Sequence, residues 1–139
     1  MTMARRPVIL YVEDEAPNRA LFRAVVSRSS ERIVQEATIL EAPDLATAQR
    51  IVRTEPIDLI LLDVRLPDGN GLDLARDIAA GAADPNPRPR IVILSASVLP
   101  SERDAALATG ASHFLEKPYV PSELLALVAR SLEATLSAG

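Results

Sequence analysis

Five short apolar runs, each followed by a segment of helical period, constrain this chain more than any other feature. They are Val8–Val12 (VILYV), a stretch from Val34 to Ala42 that is clearest at Thr38-Ile39-Leu40, Leu59–Leu62 (LILL), Ile91–Leu94 (IVIL) and His113–Glu116. Continuous apolar runs of this length predict strands buried on both faces of a parallel sheet. Helical spacing is carried by Leu21, Phe22, Val25 and Val26 within Asn18–Ser29. It returns in Leu45, Ala48, Ile51 and Val52 within Leu45–Thr54, behind the N-cap residue Asp44. A turn, Pro67–Gly71, is rich in residues that tolerate positive φ and leads to a helix over Leu72–Ala80. Pro85, Pro87 and Pro89 make Gly81–Pro89 a loop. A helix over Glu102–Thr109 stops at Gly110, and the last opens at Pro121 and runs to about Leu136. Five β–α repeats predict an α/β fold with an all-parallel sheet, its faces covered by right-handed crossovers.

The 139 residues suit one domain over 1–139, with no linker and no room for an output domain. The absence of cysteine excludes disulfides, thiolate metal sites and a thiol nucleophile, and a single histidine, His113, argues against His-based catalysis. His113 itself reads as a partly exposed strand residue. A net charge of −4 and 3% aromatic residues argue against direct binding of nucleic acid. Arg5-Arg6 precede only five apolar residues before Glu13-Asp14, too few for a signal peptide, and no run is long enough to span a membrane. A cytoplasmic protein is expected.

Ligands of open α/β sheets bind at the carboxyl ends of the strands. Strand one is followed by Glu13-Asp14, strand three by Asp63, strand four by Ser95 and strand five by Lys117-Pro118. If those strands are neighbours, three carboxylates, a hydroxyl and an ammonium share one crevice. Two carboxylates ~5 Å apart repel by roughly 3 kcal/mol at an effective dielectric of 20. Mg²⁺ relieves that repulsion and brings phosphate oxygens with it. Asp63, at the tip of the central strand ahead of a Gly-containing turn, is the natural nucleophile.

Glu13-Asp14, LLDVRLPDGNGLDL from Leu61 to Leu74, Leu94-Ser95-Ala96 and GASHFLEKP from Gly110 to Pro118 together resemble a response-regulator receiver domain, over about Val8 to Leu136. The resemblance implies a flavodoxin-like, doubly wound five-stranded parallel sheet of order 2-1-3-4-5. It also implies that Asp63 accepts a phosphoryl group from a histidine kinase or histidine phosphotransfer protein, as a signalling domain rather than an enzyme. Mg²⁺ would be held by Asp14, Asp63 and the backbone carbonyl of Arg65, with Glu13 acting through water. Lys117, Ser95 and the neighbouring Ala96 would receive the phosphoryl group, and Pro118 would follow a cis peptide bond. Phe114, where many members carry tyrosine, would be the packing switch that a downstream protein target reads. Arg65 and Ser97 would face the entrance and tune access of hydrolytic water.

Each residue alone has a plainer reading. Glu13-Asp14 is an ordinary helix entry, Asp63 a turn former, Lys117-Pro118 a strand exit, and Arg65 and Ser97 two solvated side chains. It is their coincidence at four strand ends that points to chemistry. In the last helix Leu125, Val128, Leu132 and Leu136 are the expected core stripe, widened by Val120, Leu124 and Leu127. Plain burial is the expectation for that width, ahead of a homodimer face. A pseudo-receiver without phosphotransfer keeps the same fold. A Mg²⁺-dependent phosphohydrolase would need an acid where Arg65 stands, and a flavin site would need a Ser/Thr/Gly-rich loop where Glu13-Asp14 stand.

Overall fold

The computed structural model describes residues 6–81, 89–96 and 99–138, with side chains to 135 in the last helix. In chain order the elements are β1 (Val8–Val12), α1 (Ala16–Ser27), α2 (Arg32–Gln35), β2 (Thr38–Ala42), α3 (Leu45–Thr54), β3 (Leu59–Asp63), β4 (Arg65–Leu66), β5 (Gly69–Asn70), α4 (Gly71–Ala79), β6 (Arg90–Ser95), α5 (Pro100–Ala108), β7 (His113–Glu116) and α6 (Pro121–Ala138). Five strands form one sheet in the order β2-β1-β3-β6-β7, every pair parallel. Leaving out the small antiparallel β4–β5 hairpin, this is the expected order 2-1-3-4-5.

Side chains alternate across the pleat, so each central strand feeds two cores. Leu10, Val12, Ile60, Leu62, Ile91 and Ile93 pack on one face against α3, α4 and Ala106 of α5. Ile9, Tyr11, Leu59, Leu61, Val92 and Leu94 pack on the other against α1, α2 and α6. β3 is the middle strand and all five of its residues are buried, which is why its run reads as unbroken apolar sequence up to Asp63. At the opposite edge of the sheet the fully buried Asp58 accepts a 2.8 Å hydrogen bond from the Val8 amide, joining the entry of β1 to that of β3.

The structure corrects several boundaries. Val34 is not in a strand. It is buried in the one-turn helix α2, which an Arg32–Glu36 ion pair at 3.0 Å spans, and β2 begins only at Thr38. α1 and α5 start earlier than helical spacing alone suggests, because Pro17 and Pro100 occupy first-turn positions, where the missing N–H costs nothing. In α6 the core stripe is Leu124, Leu127, Val128 and Leu132, with Leu125 only half-buried and Val120 exposed. The helix spends its apolar width on the sheet, and the Leu136 side chain lies outside the described residues. Leu21 points away from the core. Gly110 stops α5 as expected, at φ +99. Among the described residues no helix is long and apolar enough to cross a membrane.

Candidate functional site

Parallel strands bring their carboxyl ends to one edge of the sheet, and the first turns of the following helices lie over that edge. There Glu13, Asp14, Asp63, Arg65, Ser95, Ala96 and Lys117 line a single cleft of about 440 Å³. One carboxylate oxygen from each of Glu13, Asp14 and Asp63 lies within 4.8 Å of the other two. Lys117 reaches in from the end of β7. Its Nζ donates to Asp63 Oδ2 at 2.9 Å and to Glu13 Oε1 at 3.4 Å. The Lys117 amide donates to the Ser95 carbonyl at 2.8 Å, and the Lys117-Pro118 peptide bond is cis.

The acids differ in their surroundings. Asp14 is exposed. Glu13 is 1% exposed and Asp63 9%. Burial is the main cause that raises the Glu13 pKa above the usual carboxylate range; the Asp63 charge adds to it, and hydrogen bonding by the Glu15 amide and the Lys117 charge oppose it. Glu13 Oε1 also accepts from Asn18 Nδ2 at 3.2 Å, and Oε2 from the Glu15 amide at 3.2 Å. Burial pushes Lys117 down, but its hydrogen bond to Asp63 and the two nearby carboxylates outweigh this, and its pKa is raised.

The acceptor loop is braced from several sides. The Arg65 amide donates to Asp63 Oδ1 at 3.2 Å, and the Gly71 amide donates to the Val64 carbonyl at 2.7 Å. Gly71 does not supply positive φ. Of the two glycines in Pro67–Gly71, Gly69 does. Gly71 is required for space, because a Cβ there would lie 2.2 Å from the Asp63 carbonyl oxygen. Asn70 caps α4 through the Leu72 amide. Asp68 reaches across to α3, where its two oxygens accept from the amides of Leu45 and Ala46 at 2.8 and 3.0 Å. Asp44 caps the same helix through the Thr47 amide, as its position predicts.

Phe114 is half-buried beside the α3–α5 core and under the Arg103 guanidinium, 5.7 Å from the ring centre. Phe114, Arg65 and Ser95 all line a second cavity of about 560 Å³. His113 is exposed. Ser97 lies outside the described residues. Other polar site neighbours were not legible in the sequence: Glu15, Asn18 and Glu102, which line the cleft, and Arg19 and Asp68 beside it. Their only signal was position, at the start of a helix or on an acceptor-side loop, and solvated polar residues sit there as well.

Three converging carboxylates form a hard, all-oxygen donor set that suits Mg²⁺ better than a softer metal. The five-stranded parallel sheet in the order β2-β1-β3-β6-β7, with helices on both faces, places the chain in the flavodoxin-like class of α/β folds. The chain belongs to the response regulator receiver domain family, whose model matches residues 9–129. It is 37% identical over 118 residues to the KDP operon transcriptional regulatory protein KdpE of Escherichia coli K12, covering 85% of this chain and 48% of KdpE. The chain spans about half the length of the curated relatives it matches. The receiver domain of sensor histidine kinase PA1611 from Pseudomonas aeruginosa PAO1, solved with magnesium in its active-site cleft, matches at TM-score 0.76 and 27% identity, over 93% of this chain and 99% of that one. The signal receiver domain of an HD domain-containing protein from Pseudomonas fluorescens Pf-5 shares the fold at TM-score 0.84 and 23% identity, over 99% and 95% of the two chains.

Proposed function

We propose that this domain accepts a phosphoryl group on Asp63, from a histidine kinase or histidine phosphotransfer protein, and passes the change to a downstream protein. The carrying observation is the contact of Lys117 Nζ with Asp63 Oδ2 at 2.9 Å, inside a cluster of three acids within 4.8 Å. An Asp63 carboxylate oxygen attacks the phosphorus of a phosphoimidazole. The P–O bond forms as the P–N bond breaks, and the imidazole nitrogen keeps the electron pair and takes a proton. Such transfer asks for alignment and charge neutralisation more than for covalent help. Asp14, Asp63 and the Arg65 carbonyl would hold Mg²⁺, which supplies positive charge to the transferring oxygens, and Glu13 would assist through water. Lys117 holds the nucleophile and then a phosphoryl oxygen. Ser95 and Ala96 line the same cleft and would receive a second oxygen.

Phosphorylation adds nearly two negative charges at the cleft and offers the Ser95 hydroxyl a new acceptor. The cavity that Ser95 and Phe114 both line gives the ring room to follow, and this supports Phe114 as the packing switch. The reading of 1–139 as one receiver domain and the tuning role of Arg65 and Ser97 belong to the same proposal. The test is intact mass after incubation with Mg²⁺ and acetyl phosphate. The parent is expected to gain one phosphate and Asp63→Asn none. No gain in the parent would instead assign an interaction module without phosphotransfer.

A further inference from the structure

Arg19 lies in the first turn of α1, and the chemistry above leaves it unused. Its Nη1 donates to the Glu13 carbonyl oxygen at 2.6 Å, and its Nε is 3.3 Å from Glu41 Oε1 on β2. Arg23, one turn further on, pairs with the other Glu41 oxygen. The carbonyl that Arg19 grips belongs to the peptide joining Glu13 to Asp14. Successive side chains of an extended chain point to opposite faces. Two adjacent acids therefore meet at one point only where the backbone between them is turned and held. On the other side of Glu13 the sheet does the holding, through the Glu13 amide and the Ala42 carbonyl at 2.9 Å.

We propose that Arg19, oriented by Glu41, is a positioning residue that fixes the Glu13–Asp14 peptide so that both carboxylates converge on Asp63 and bind a divalent cation. The inference rests on the Mg²⁺ reading of the cleft. Charge and geometry predict opposite signs here. A cation beside a metal site repels the metal, so by Coulomb's law alone its removal tightens binding. As a clamp, its removal loosens binding by roughly tenfold, the lower end for outer-shell partners. Lysine keeps the charge but lacks the planar fork that bridges carbonyl and carboxylate.

The test is a titration with MgCl₂ alone at constant ionic strength, read by backbone amide shifts of the ¹⁵N-labelled protein. It uses the parent, Arg19→Gln, Arg19→Lys, Glu41→Gln and Arg19→Gln/Glu41→Gln, with thermal unfolding in EDTA reporting the fold. Arg19→Gln is expected to weaken Mg²⁺ about tenfold while the metal-free unfolding temperature stays near the parent's, and Arg19→Lys is expected to weaken it as well. Glu41→Gln should weaken binding in the parent background and add nothing when Arg19 is already glutamine. Unchanged or tighter Mg²⁺ binding in Arg19→Gln overturns the proposal, and so does an equal Glu41→Gln effect in both backgrounds. Should Arg19→Gln fail to fold, parent-like affinity in Arg19→Lys overturns it. A parent that binds no Mg²⁺ overturns the metal reading and this proposal together. Mg²⁺ binding that a further variant, Asp63→Asn, abolishes but Arg19→Gln leaves at the parent's affinity sustains the metal reading and overturns this proposal alone.

Discussion

Tyr11 and Lys117 hold their protons more tightly in the folded chain than ordinary groups of their kind. Tyr11 is raised first by burial and then by Tyr119 and the nearby acids, and Lys117 by Asp63 and Glu13 against the opposing effect of burial. The unfolded chain releases these protons at about pH 10 for tyrosine and about 10.4 for lysine. Folding therefore retains protons that unfolding gives up, and the slope of stability with pH is negative there. Stability should be intact below about pH 10 and fall above it, approaching about 1.4 kcal/mol per pH unit for each group. Urea midpoints across that range check this, and Tyr11→Phe should flatten the fall. Ser131 makes a second residue-scale case. It is buried in α6, and among the described residues its hydroxyl has no hydrogen-bond partner. Ser131→Ala should raise the unfolding free energy by about 1 kcal/mol in urea denaturation. Sequence made Asp63, Asp14 and Lys117 legible because each lies at or just past the carboxyl end of a strand-length run, where ligands of such sheets bind. Asn18 and Arg19 were hidden, because a polar residue on a helix looks the same whether it grips a backbone carbonyl or faces water.

At the scale of elements, β1, β3 and β6 were plain in the sequence because a strand covered on both faces has no polar position to blur it. α2 was not. Ile33 and Val34 are β-branched and adjacent, and only the buried place of Val34 against the α1–α6 face favours a helical turn. The turn before α4 was legible from its residue types, though not what each glycine in it does. Gly71 serves close approach rather than unusual φ, a distinction that composition cannot make. Gly71→Ala should therefore cost about 1–3 kcal/mol, as overpacking does, and displace the Asp63 backbone as well. Urea denaturation and the rate of labelling by acetyl phosphate should both fall, whereas a turn defect alone would spare the labelling rate of the folded fraction.

For the whole molecule, the alternation of runs was enough for a parallel α/β sheet, whereas the strand order came with the family resemblance, since periodicity does not say which strands are neighbours. The order matters because it brings Glu13, just past the end of β1, beside Asp63 on β3 and Ser95 on β6, and sets Lys117 just past the end of the neighbouring β7. Three acids against one lysine leave the metal-free cleft self-repelling. Mg²⁺ at tenfold above its Kd should stabilise the parent by about 1.4 kcal/mol and raise its unfolding temperature. Asp63→Asn should unfold later than the parent without metal and gain little from it, as differential scanning calorimetry would show.

Asp68 grips two amides of α3 from the loop beyond Asp63, and so ties the second crossover of the chain to the third. Their openings are thereby coupled. Deuterium uptake at the Leu45 and Ala46 amides should follow the same opening event as uptake in the β4–β5 hairpin, and Asp68→Ala should split that shared motion into two.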